Sequence, residues 1–210
     1  MKSIWDTAGG IRLAIKALDD AGLDLLFRQA RTHNGWKPRA VERSTLEQLW
    51  ELVRFAPTAV NGMPARFVFV TSSEGKQRLK PCLSPGNVDK VMAAPVTVII
   101  GYDTAFWELL PILFPHADDV GALFSENAEL AEVTAFRNSS LQGAWLMLAA
   151  RALGLDCGPM SGFDSERLDR NFFADTTIRS NFLCNLGYGD VKKLYPRLPR
   201  LSFEDACTFA

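Results

Sequence analysis

The chain has 210 residues, a formal net charge of −1 and an apolar fraction of 48%. That length fits a single domain over 1–210 with a well-buried core, and the balanced charge gives neither nucleic acid nor an anionic membrane an electrostatic foothold. Four scattered cysteines and two isolated histidines lack metal-ligand spacing and need no disulfide framework, so a reduced, cytoplasmic protein without a metal site is expected.

The opening MKSIWDTAGG is interrupted by Asp6, which argues against a signal-peptide core. Helix formers fill 11–31 with a break expected near Gly22, giving one or two helices. THNGWKP is irregular, with Asn34-Gly35 as its turn signal. Ser44 and Glu47 stand at capping-box spacing, and Leu46, Leu49, Trp50 and Val53 follow at helical period. That helix should stop before Pro57. FAPTAVNGMP reads as a loop, RFVFVTS as a strand with Phe67 and Phe69 on one side, and SSEGKQRLK as a short helix. PGNVDKVMAAP is a loop or short helix leading into PVTVIIGY, a buried strand too short to span a bilayer. Pro111 and Pro115 interrupt the apolar material of 104–130 and leave it unassigned.

A long helix is expected over 128–153, apolar around much of its circumference and therefore centrally buried. Gly154 should end it. CGPMSG is then short and extended, Asp164 can cap a helix over 165–173, and RSNFLCNLGYG is the last strand. This mixed, unevenly spaced order argues for an α+β layer fold. Neither a GxGxxG behind a strand nor a GxxxxGK[ST] is present, so the familiar phosphate loops are missing. The segment GLDCGPMSGFD crowds three glycines and a proline behind the long helix. Glycine lets another group approach the main chain closely, so something should pack against it.

Five loops carry polar chemistry: Arg31, Thr32, His33 and Asn34; Pro57, Thr58, Ala59 and Asn61; Asn87 and Lys90; Pro159, Met160, Ser161 and Gly162; and PRLP with Arg197. Each alone has a structural explanation. An arginine at a helix end suits the helix dipole, an asparagine makes a turn, and a lysine is solvated. In order, however, ARTHNGW, APTAVNGMP, GNVDK, ALGLDCGPMSGFD and YPRLPR resemble the FMN-dependent nitroreductase family over nearly the whole chain from about Arg28. ARTHNGW, LFPH, TAFRNSS, GYGD and RLPRLSFEDAC are similar to one branch of it, the malonic semialdehyde reductases of pyrimidine degradation.

The resemblance implies a mostly antiparallel central sheet flanked by helices, in an intertwined homodimer with FMN at the subunit interface. It implies that Arg31, Thr32, His33 and Arg197 surround the FMN phosphate. Pro57, Thr58, Ala59 and Asn61 would reach the flavin of the other subunit, and Asn87 and Lys90 would face its pyrimidine edge. Pro159, Met160, Ser161 and Gly162 would lie against the ring near N5. NADPH or NADH would reduce FMN, and malonic semialdehyde would leave as 3-hydroxypropionate. Arg66 and Arg137 are candidates for the substrate carboxylate, with Arg137 equally readable as a buried ion-pair partner. Three positions depart from the family. Ser161 stands where many members have Glu, Asn34-Gly35 where others have further basic residues, and Ala65-Arg66 where many have Trp after the proline. Loss of a carboxylate at 161 suits an anionic substrate. A general nitro or quinone reductase, a flavin-binding domain without turnover, and a domain without cofactor are the rival readings.

Overall fold

The computed structural model describes residues 16–117 and 119–210. Its centre is a four-stranded antiparallel sheet of β1 (Ala65–Val70), β2 (Val96–Asp103), β3 (Asp156–Met160) and β4 (Ile178–Gly187), in the order β1-β2-β4-β3. The registers pair Phe67 with Ile100, Val98 with Cys184, and Cys157 with Leu186. Around the sheet stand α1 (Asp20–Leu23), α2 (Arg43–Val53), α3 (Ser73–Leu79), α4 (Pro85–Ala93), α5 (Leu110–Leu113), α6 (Val120–Ser125), α7 (Ala128–Ala152), α8 (Ser165–Phe172) and α9 (Phe203–Ala206).

The pleat divides the core. Val96, Val98, Ile100, Cys184 and Leu186 face Leu46, Leu49 and Val53 of α2 and Leu146 and Ala150 of α7. Ile99 and Leu183 point the other way, toward Leu79, Val91 and Leu168 of α3, α4 and α8. A third cluster seats the 104–125 excursion through Phe106, Leu110 and Phe124 against Ala131 and Ala135. The strands and the long helix stand where hydrophobic period places them. Gly154, with φ of +77°, ends α7 in a Schellman arrangement: Leu155 N–H donates to the Ala150 carbonyl and Gly154 N–H to that of Arg151. Asp164 caps α8 by accepting from the Arg167 N–H.

Two local expectations fail. Ser44 does not cap α2: Glu42 is the N-cap residue, and Glu47 is held by Arg43 at 2.8 Å instead of reaching back to the backbone. Gly22 does not break its segment but sits within α1, whose hydrogen bonding changes to π-type over Asp24–Arg28; residues 11–15 of that expected helix lie outside the described residues. No helix among the described residues is long and apolar enough to cross a membrane.

Candidate flavin site

The site is organised by edge strand β3, where Pro159 is tolerated because the outer side of an edge needs no complete ladder. Along that edge Thr32 forms a parallel bridge to Cys157, and His33 N–H donates to the Cys157 carbonyl at 2.9 Å. A β-carbon on Gly158 would lie 2.5 Å from the His33 carbonyl oxygen. One on Gly162 would lie 2.6 Å from Asn87 Nδ2. The glycines thus admit groups of the chain itself: a main-chain segment at one end and an amide at the other. Gly158→Ala is expected to cost about 1–3 kcal/mol, because a backbone oxygen cannot swing aside as a side chain can. A thermal melt checks it, and an unchanged Tm would show that the Arg31–Trp36 segment is not seated as described.

At the Cys157 end, Arg31, Arg151, Arg197 and Arg200 line one cavity of about 690 Å³, with Thr32, Asn34 and Tyr195. The Arg31 guanidinium donates to the Tyr195 carbonyl. Arg197 donates to the carbonyls of Arg28 at 2.8 Å and Ala30 at 3.4 Å. Each arginine therefore ties the other's segment down. Arg151 donates to the Leu26 carbonyl at 3.0 Å. No carboxylate lines this cavity, so it is a strongly positive hollow suited to a dianion.

At the other end, Asn87 Nδ2 donates to the Gly162 carbonyl at 2.9 Å, and Lys90 Nζ to Asn87 Oδ1 at 3.4 Å. Helix α4, which carries both, is fixed from two sides. Asn185, buried in β4, donates to the Lys90 carbonyl at 3.2 Å. Lys76 of α3 is buried and donates to the carbonyls of Val91, at 2.7 Å, and Ala94. Burial lowers the Lys76 pKa to about 8, against the pull of the helix C-terminus, which favours the cation. Ser161 is exposed and Gly162 half-buried, and the Gly162 N–H donates to no group among the described residues.

The other expected residues lie elsewhere. His33 is buried, and its Nε2 stands 3.3 Å from Asp156 Oδ1. Burial lowers its pKa more than Asp156 raises it, so the neutral ring donates to Asp156 and is absent from the lining of the arginine cavity. Arg137 is exposed on α7, which excludes its role as a buried ion-pair partner. Arg66 is committed to Asp103 at 2.7 Å. Pro57–Asn61 packs on α7 and α5: Ala59 N–H donates to Asn138 Oδ1 and Asn61 Nδ2 to the Leu113 carbonyl, both at 2.8 Å. No hydrogen bond among the described residues joins this loop to β3 or to the arginine cavity. Sequence reasoning missed Arg151 and Arg200; their signals were a cation in the last turn of α7 and a second arginine beside PRLP.

Comparison with known proteins completes the description. The Nitroreductase family matches residues 27–188. A relative from Cupriavidus pinatubonensis, provisionally named NADH dehydrogenase/NAD(P)H nitroreductase, is 57% identical over 190 residues, covering 90% of this chain and 97% of its own. One of the same name from Burkholderia lata is 62% identical over 188 residues, covering 90% and 96%. Among solved structures, a nitroreductase from Exiguobacterium sibiricum in complex with FMN superposes with a TM-score of 0.79 at 23% identity, over 93% of this chain and 99% of that one. One from Bacillus subtilis does so with a TM-score of 0.79 at 21% identity, over 91% and 100%. With relatives above half identity across nine-tenths of its length, the chain belongs to the nitroreductase family.

Proposed function

We propose that the protein is an FMN-dependent oxidoreductase that draws reducing equivalents from NADPH or NADH and passes them to malonic semialdehyde, yielding 3-hydroxypropionate. The observation that carries the cofactor assignment is the alignment of two unlike polar ends along one strand edge. Four arginines stand by Cys157, and Asn87 and Lys90 stand by Gly162. Five residues of extended chain separate these ends by ~16 Å, a span suited to a mononucleotide stretched from phosphate to ring.

The donor set fits that group. Arg31 and Arg197 hold the phosphate with Arg151, Arg200 and the Thr32 hydroxyl beside them. Lys90, oriented by Asn87, supplies positive charge where the pyrimidine edge gains negative charge on reduction. The Gly162 N–H and the small Ser161 side chain leave main chain open to the ring near N5. Bound FMN supplies the chemistry, accepting a hydride from the nicotinamide and donating one to the acceptor. The protein stacks, orients and tunes.

Pro57, Thr58, Ala59 and Asn61 serve the site of a second subunit, which agrees with their distance from β3 in their own chain. An apolar groove of about 1240 Å³ beside edge strand β1, lined by Val41, Trp50, Leu52 and Phe69, offers a seat for a partner segment. The exposed Leu198, Leu201, Phe203 and Phe209 of the tail are apolar residues in search of one.

Ser161 supports the semialdehyde: it removes the carboxylate that would repel an anionic substrate. The relatives' names favour a second reading, a general NAD(P)H nitroreductase on the same site. Anaerobic titration separates the two. The yellow protein is bleached with just enough NADPH and malonic semialdehyde is added. Rapid return of colour with an equivalent of 3-hydroxypropionate is expected. Colour that returns only with a nitroaromatic or quinone assigns the general reductase, and a protein that takes up no FMN overturns both.

A further inference from the structure

The loop between α2 and β1 holds three non-glycine residues at positive φ: Val60 at 48°, Asn61 at 52° and Met63 at 42°. A β-branched residue there is a genuine outlier, and such a backbone persists only where its surroundings over-determine it. The determinants are side chains. Thr58 Oγ1 accepts from the Met63 N–H at 3.2 Å, and Asn138 and the Leu113 carbonyl fix Ala59 and Asn61. Arg66 closes the loop by donating from Nη1 to the carbonyls of Met63 at 2.9 Å and Ala65 at 3.1 Å.

The other half of that guanidinium is held by Asp103, through Nη2 to Oδ2 at 2.7 Å. The same carboxylate accepts on Oδ1 from the Ala105 N–H at 3.0 Å and the Thr177 hydroxyl at 2.6 Å, while the Asp103 N–H donates to the Pro64 carbonyl at 2.9 Å. One mostly buried ion pair therefore joins the end of the strained loop to the start of the 104–113 excursion. Asn61 makes the second tie between them, at Leu113. Loop and excursion form a single wall, fixed at both ends.

We propose that Arg66 and Asp103 are positioning residues that preset the 57–63 loop against the 104–113 excursion, so that this wall meets the flavin of the other subunit in one geometry. The inference rests on the proposed dimeric FMN site. It also explains why a residue in the sequence position of a carboxylate binder is unavailable to a substrate: its charge is already answered by Asp103.

The test uses the full-length protein stripped of FMN and retitrated by flavin fluorescence, with Arg66→Met, Arg66→Lys, Asp103→Asn and the Arg66→Met/Asp103→Asn double variant. Loss of either partner is expected to raise the FMN Kd roughly tenfold or more, since small misplacements at a preset site carry large penalties. The double variant should be no worse than the worse single one, because the pair acts as a unit, and Arg66→Lys should recover part of the loss. KM for a carboxylate-bearing acceptor relative to that for an uncharged quinone should not change. A selective rise in KM for the acid in the Arg66 variants alone would make Arg66 a substrate binder and overturn the proposal. So would unchanged FMN affinity with only a lowered Tm. If the wild type itself takes up no FMN, the functional reading fails first, and that outcome is distinct from either.

Discussion

Replacing Arg31 and Arg197 together by alanine is expected to weaken FMN binding by about 3 kcal/mol, over a hundredfold in Kd, from the loss of charge-assisted hydrogen bonds to the phosphate. The two act together because they are cross-tied: Arg31 holds the Tyr195 carbonyl of the tail, and Arg197 holds the carbonyls of Arg28 and Ala30 beside Arg31. Alanine at both positions therefore removes charge and loosens the cavity wall. Riboflavin separates these effects, since it presents the same ring without the phosphate. Titration of the stripped protein should show a strong wild-type preference for FMN over riboflavin that collapses in the double variant. Lysine at both positions should restore part of it, as point charges without the guanidinium fork. An unchanged preference would remove the phosphate from this cavity, whatever the absolute affinity does.

The architecture was legible wherever a rule acts over a few residues. Alternation marked β1 and β4, an apolar run marked β2, and Gly154 and Asp164 marked the ends of the segments they cap. The failures share one cause, a competing partner outside the local window. Glu47 has capping-box spacing from Ser44, yet Arg43 claims it. Lys76 looks like a solvated lysine of a short polar helix, but its ammonium is buried against the Val91 and Ala94 carbonyls. Asn138 and Gln142 look like polar interruptions of an apolar helix. They are the acceptors that fix the main chain at Ala59 and Ala65, 79 and 77 residues away. No spacing rule reaches that far.

The site divides the same way. Its two ends were visible as residues, Arg31 and Arg197 at one and Asn87, Lys90 and Gly162 at the other. That β3 runs between them was not visible, because pairing across the edge depends on the irregular Arg31–Trp36 segment. His33 shows the hazard of reading a loop as a unit. Its neighbours line the cavity, while its own ring turns inward to Asp156.

The other large effect is expected on α7. The face that meets the sheet carries Ala135, Gln142, Leu146 and Ala150. The opposite face carries Val133, Phe136, Leu141 and Trp145, between 40% and 49% exposed. A helix apolar all round belongs inside something, and a second copy related by a twofold axis would cover this face with its own equivalent. Leu141→Arg or Trp145→Glu would then bury an unpaired charge at the seam, at about 3–5 kcal/mol, raising a nanomolar dimer constant to the micromolar range or above. Because both residues are exposed in the protomer, its own fold should survive. Sedimentation at low micromolar concentration should find the wild type dimeric and the variants largely monomeric. Flavin should leave with the partner, since Pro57–Asn61 does not contact β3 of its own chain and the monomer lacks that wall of the site. A variant that stays dimeric would move the seam away from α7. A monomer that keeps its yellow colour would mean that one protomer completes the site, and the 57–63 loop would lose its role there.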